Sequence, residues 1–202
     1  VYNLDKTMVL LKRALNFLGL VSKQKGQILV VGTSFKSQKM AKLVGESTSN
    51  PYVNRRWIKG LLTNWENISS SIKFFNLFLK KLKLTKKKSS KLQETYGGLK
   101  QLQALPSAIL FVDLDSNSEV VNEAKKLNIP IIAILDTNSD PEGIDFPIPG
   151  NDDARRAIDL YCNLVKVTIE NAKKAAPTQN EEKIEISDVK KKTNKTIHEL
   201  DR

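Results

Sequence analysis

Asn54-Arg55-Arg56-Trp57-Ile58-Lys59-Gly60-Leu61-Leu62-Thr63-Asn64-Trp65 is the stretch of this chain with the most evident binding chemistry. Guanidinium forks match phosphate oxygens, and indole faces stack on bases or ribose. The competing reading makes both tryptophans core anchors. It suits Trp65, which belongs to an apolar seam, and leaves Trp57 evenly divided between core and surface. A second group is Asp113, Asp115, Asp136 and Asp140, each at or just past the end of an apolar run. Carboxylates so placed could hold hydrated Mg²⁺ beside a nucleotide or work as acid and base. More commonly they bind turn backbone. Gly32-Thr33-Ser34 follows an apolar run but matches neither G-x-G-x-x-G nor the P-loop spacing. Asp152 and Asp153, expected in the first turn of a helix, would satisfy its dipole and repel phosphate. The single histidine, His198, stands in a polar tail, and the single cysteine, Cys162, falls mid-helix. That leaves little material for a nucleophile–base pair or a cysteine zinc site. The expectation is therefore no catalytic residue, no metal and no cofactor. The alternative is a nucleotide- or Mg-dependent doubly wound enzyme using Asp113, Asp136 and Asp140.

The charge distribution favours binding. The 202 residues carry 33 Lys+Arg against 22 Asp+Glu, a net +11. The first 100 residues hold +16, and residues 101–172 hold −7. A cationic half of this kind predicts a polyanionic partner, nucleic acid above all, bound with counterion release. A solvated lysine-rich surface is the plainer alternative. Lys36 and Lys39, on a basic helix expected over 35–45, join the candidate nucleic-acid-binding set with Arg55, Arg56, Trp57, Lys59 and Asn64. So do Lys86, Lys87 and Lys88, at the expected tip of a hairpin. Lysine outnumbers arginine 27 to 6, the usage of an AT-biased genome such as that of an organelle or an AT-rich microbe. No apolar run is long enough for a membrane helix, and no secretory leader is visible.

These residues need a scaffold. Gln27–Val31, Ala108–Val112 and Ile129–Leu135 are unalternating apolar runs, the pattern of parallel strands buried on both faces. Short strands are expected at 51–53 and near Phe146. Helices are expected at 6–18 with Asp5 as cap and Gly19 as stop, at 119–127, and after an Asn151 or Asp152 cap. Thr63 and Glu66 have capping-box spacing. Trp65, Ile68, Ile72, Phe75, Leu79 and Leu82 then recur at 3,4 spacing, a coiled-coil-like seam. Leu92, Tyr96, Leu99 and Leu102 suggest a return helix, weakened by Gly97-Gly98. The expected fold is α/β: a parallel sheet flanked by helices. Residues 1–62 and 104–176 form the core, 63–103 an inserted helical hairpin, and 177–202 a polar tail.

Ordered strings extend the reading. They are Asn3-Leu4-Asp5-Lys6-Thr7, Ile28 to Thr33, and Val53 to Trp57 continuing into Gly60 to Trp65. Gly97 to Lys100, Leu105-Pro106, Asn128 to Pro141 and Pro149 to Ala154 follow. With these strings the chain closely resembles the bacterial-type small-subunit ribosomal protein S2 family over about residues 3–174. The resemblance implies a Rossmann-like or flavodoxin-like domain with a projecting helical hairpin, and a structural, non-enzymatic role near the head–body junction of the small subunit. It implies rRNA and neighbouring ribosomal proteins as partners, with no membrane and no small-molecule substrate. It marks Arg55, Arg56, Trp57, Lys59 and Asn64 as RNA-binding, and Thr137 to Asp140 as a structural or protein-contact loop. Arg55 stands where the family usually has His, and Lys59 where it usually has Gly. The family's basic, aromatic N-terminal block is missing, the hairpin is short, and the chain begins at Val1, as a processed or partial chain would. With the AT-type composition, this implies a mitochondrial member, with a plastid or bacterial origin as the alternative.

Overall fold

Apolar runs with few turn residues inside them pair as five short strands: β1 Ile28–Val31, β2 Tyr52–Val53, β3 Ala108–Phe111, β4 Ile131–Leu135 and β5 Phe146–Pro149. In the computed structural model they form one parallel sheet in the order β2-β1-β3-β4-β5. The structure describes residues 3–81, 92–114 and 118–175. Its helices are α1 Leu4–Lys23, α2 Gln38–Thr48, α3 Trp65–Lys81, α4 at 92–96, α5 Ser118–Lys126 and α6 Arg155–Lys174. This is the expected α/β fold. Lys86, Lys87, Lys88, Leu82 and Asp115, together with the tail after 175, lie outside the described residues.

Every residue of β1, β3 and β4 is buried, which is why these runs do not alternate. Alternate residues serve two cores. Ile28, Val30, Leu110, Ile132 and Ile148 pack with α1, α2 and α6. Leu29, Val31, Ile109, Phe111 and Ala133 pack with Trp57, Leu61, Val120 and Leu99 on the other face. The edge strand β5 carries Pro147 and Pro149, which an edge tolerates because it pairs on one side only. Its ends are fastened by Asp145 N–H to the Ile131 carbonyl at 3.1 Å and Gly150 N–H to the Leu135 carbonyl at 2.9 Å.

Several expected boundaries move, each for a local reason. Asn3, not Asp5, caps α1: its Oδ1 accepts from the Asp5 and Lys6 N–H groups at 3.0 and 3.3 Å. Gly19 does not stop that helix, which continues to Lys23 with Gly19 turned toward Thr168 of α6. The capping box at Thr63 does not form, because the Thr63 N–H and hydroxyl both donate to Glu123, and α3 begins at Trp65. Asn151 Oδ1 accepts from the Asp153 and Ala154 N–H groups at 2.8 and 2.7 Å, so a turn separates it from α6. Asp152 and Asp153 therefore precede that helix rather than occupying its first turn.

The seam residues Ile72 and Phe75 are buried, and Phe75 meets Tyr96 at a ring separation of 5.8 Å. Leu99 and Leu102 are buried in the same core as Ile72. The second helix of the pair gives way to a 3-10 turn at Gly97–Leu99. Gly98 is needed there: a Cβ would overlap the backbone oxygen and ring of Tyr52 on β2. We expect Gly98→Ala to destabilise the fold by about 2 kcal/mol through this overpacking, measured by urea denaturation. An unchanged midpoint would show that the 3-10 turn and β2 separate without penalty.

Candidate nucleic-acid interface

The segment between β2 and α3 is irregular, yet it is held tightly from below. Glu123 on α5 reaches it with both carboxylate oxygens. Oε1 accepts from the Trp57 indole N–H at 3.0 Å and the Gly60 N–H at 2.8 Å. Oε2 accepts from the Leu62 and Thr63 N–H groups at 3.0 and 3.3 Å, and from the Thr63 hydroxyl at 3.4 Å. Gly60 adopts φ +80°, a left-handed turn that aims its N–H at the carboxylate. Burial pushes the Glu123 carboxyl upward, but these donors outweigh it and hold it below its ordinary value. One carboxylate thus organises four backbone or ring N–H groups that a loop would otherwise leave to water.

The result separates the predicted site residues. Arg55 and Arg56 are exposed at the start of the segment. Trp57 is only 8 % exposed, packed in the second core. Its predicted stacking role is therefore corrected: the ring faces protein, and its only polar atom is bound to Glu123. Lys59 is exposed and pairs with Glu119 of α5 at 2.7 Å. Asn64 is exposed, and its Oδ1 accepts from the Asn67 amide at 2.8 Å. Arg55 lines an open cleft of about 870 Å³ between α2 and the start of α6. Lys36 and Lys39 line it too, and Lys36 forms an ion pair with Asp153. The structure thus gathers Lys36, Lys39 and Arg55, and sets Lys59 apart on the α5 side.

The division of charge by sequence is less clean in space. Asp153 and Asp159, from the acidic half, share that cleft with the basic residues. We expect Asp153→Asn to strengthen RNA binding two- to three-fold by releasing Lys36 from an exposed ion pair worth under about 1 kcal/mol. Weaker binding in a filter assay would show that Asp153 positions Lys36 productively.

The strand-end carboxylates are occupied by their own neighbours. Asp113, between the β1 and β3 ends, is 3 % exposed and accepts from the Ser34 N–H and hydroxyl at 3.4 and 3.0 Å. In this strand order the gap between β1 and β3 is the switch point where ligands enter doubly wound folds. Here a side-chain carboxylate takes the donors that a phosphate would use. Asp136 accepts from Thr137, and Asp140 from the Glu142 N–H at 2.9 Å. Among the described residues, no cluster of three His, Cys, Asp or Glu could hold a metal ion. Cys162 is buried, and burial together with nearby Asp159 pushes its thiol up to about 12. Such a thiol packs rather than reacts.

The family model "Ribosomal protein S2" matches residues 1–172. The chain belongs to the ribosomal protein S2 family. Relatives named small ribosomal subunit protein uS2 include one from Ehrlichia chaffeensis, 44% identical over 181 residues, covering 84% of this chain and 63% of the relative. Another, from Marinobacter nauticus, is 38% identical over 201 residues, covering 93% and 80%. A third, from Anaplasma phagocytophilum, is 41% identical over 181 residues, covering 84% and 61%. The chain spans less than two thirds of the length of the Ehrlichia and Anaplasma relatives.

Two features of this surface carry little signal in the sequence. Glu123 sits in an expected amphipathic helix, and nothing local marks it as the anchor of a loop some 60 residues earlier. Phe35 stands alone in a polar, basic stretch, and its off-pattern position is the one signal that could mark it as exposed.

Proposed function

We propose that the chain is a structural component of a small ribosomal subunit that binds rRNA and adjacent ribosomal proteins near the head–body junction. The observation that carries this is the pair Arg55 and Arg56, exposed between buried Val53 and buried Trp57, whose indole N–H Glu123 holds. Pre-set cations meet phosphates without first ordering a loop, and contacts of this sort fix a protein's position rather than read sequence. The names printed for the relatives agree with a small-subunit place. Lys39 and Lys36 extend the surface along the cleft, while Lys86, Lys87 and Lys88 enter the proposal on charge alone. Trp57 supports it from inside. The mechanism is binding, with no chemical step. The 27-to-6 excess of lysine over arginine supports a mitochondrial ribosome as the setting, with plastid and bacterial cytoplasm as the alternatives. The domain division, with 63–103 as an inserted hairpin, belongs to the same proposal.

The test is binding of the purified chain to small-subunit rRNA across a salt series. The expected result is a steep linear fall of log affinity with log salt. Salt-independent binding, or none, contradicts it.

A further inference from the structure

Phe35 is 93 % exposed in the turn after β1, the most exposed large apolar side chain among the described residues. It is not an isolated surface phenylalanine. It forms one wall of the cleft that Lys36, Lys39, Arg55 and Arg155 also line. Five basic residues, Lys42 included, face that space against Asp153 and Asp159, so the lining is net positive. An exposed aromatic face beside a cationic track is the combination that single-stranded nucleic acid uses: bases stack on the ring while phosphates follow the charges. Duplex RNA cannot supply an unstacked base to such a ring, because its bases are already stacked. The cleft, at about 870 Å³ and open to solvent, has room for a nucleotide and its neighbouring phosphates.

We propose that this cleft takes an unpaired nucleotide of RNA, with its base stacked on Phe35 and its flanking phosphates on Lys39 and Arg55. The inference rests on the RNA-binding reading and sharpens it from backbone docking to capture of a splayed-out base. A protein partner would also value an exposed phenylalanine, but the excess of cations and the continuity with Arg55-Arg56 favour RNA.

The experiment measures affinity of the full chain for a fluorescent oligouridylate and for an RNA duplex with the same number of phosphates. Phe35→Ala should weaken oligouridylate binding by about ten-fold, as removal of one stacking platform does, and leave duplex binding unchanged. Phe35→Tyr should keep the affinity for both. Equal binding of oligouridylate by Phe35→Ala and the parent, or equal losses on both probes, overturns the proposal. So does a Phe35→Ala chain that keeps both affinities yet loses a neighbouring protein from the assembled particle, which would make the cleft a protein-docking surface. Failure of the parent chain to bind either probe overturns the RNA-binding reading as well, so the two failures are distinguishable.

Discussion

Replacing Glu123 with alanine is expected to lower the folding free energy by about 3 kcal/mol and to loosen the whole segment from Trp57 to Thr63. The carboxylate accepts from four separate N–H groups and a hydroxyl. Hydrogen bonds to a charged group contribute about 1.5–3 kcal/mol each, and donors left without a partner add a desolvation penalty. Partial exposure of the carboxylate and re-entry of water keep the total below the simple sum. Glu123→Gln should cost less than alanine but more than a surface change, because half of its amide presents donors to donors. The pH dependence has a definite sign. The folded-state carboxyl titrates below its unfolded value, so its stabilisation is complete above the unfolded pKa and is lost as pH falls through the folded one. Urea midpoints measured from neutral to acid pH should therefore fall more steeply for the parent than for Glu123→Gln. Parallel curves would show that Glu123 is not the anchor described.

The second large effect is on binding. Arg55→Ala with Arg56→Ala should weaken rRNA affinity by about ten-fold or more at moderate salt, and should flatten the salt slope by about 0.8 for each phosphate no longer neutralised. Both side chains are exposed, so the fold should be unaffected. Asp152→Asn is the contrasting change. Asp152 is 4 % exposed, so its substitution should disturb stability rather than affinity. A reversal, with the arginines mattering less for RNA than Asp152, would remove the basic loop from the interface.

Much of the scaffold is legible in the sequence because its signals are local. Ile28–Val31 and Ile131–Leu135 read as strands from continuous apolar character, and they are buried on both faces. What escapes depends on distant partners. Thr63 looks like a helix cap, but a carboxylate on α5 captures its hydroxyl. Gly19 looks like a helix stop, but α1 runs on past it while packed along α6. Lys36 and Asp153, 117 residues apart, form an ion pair that no spacing rule reaches. At the site, Arg55 and Arg56 are readable from residue type. The placing of Trp57 is not, since an indole suits a base and a core equally well until burial is known.

The most direct measurement is co-sedimentation of the full chain with small ribosomal subunits through a sucrose gradient in high salt. A structural component should stay in the small-subunit peak, because in the assembled particle apolar and hydrogen-bonded contacts with neighbouring proteins, which salt does not screen, add to the phosphate contacts that it weakens. Release of the chain to the top of the gradient, with the subunits otherwise intact, would contradict that account.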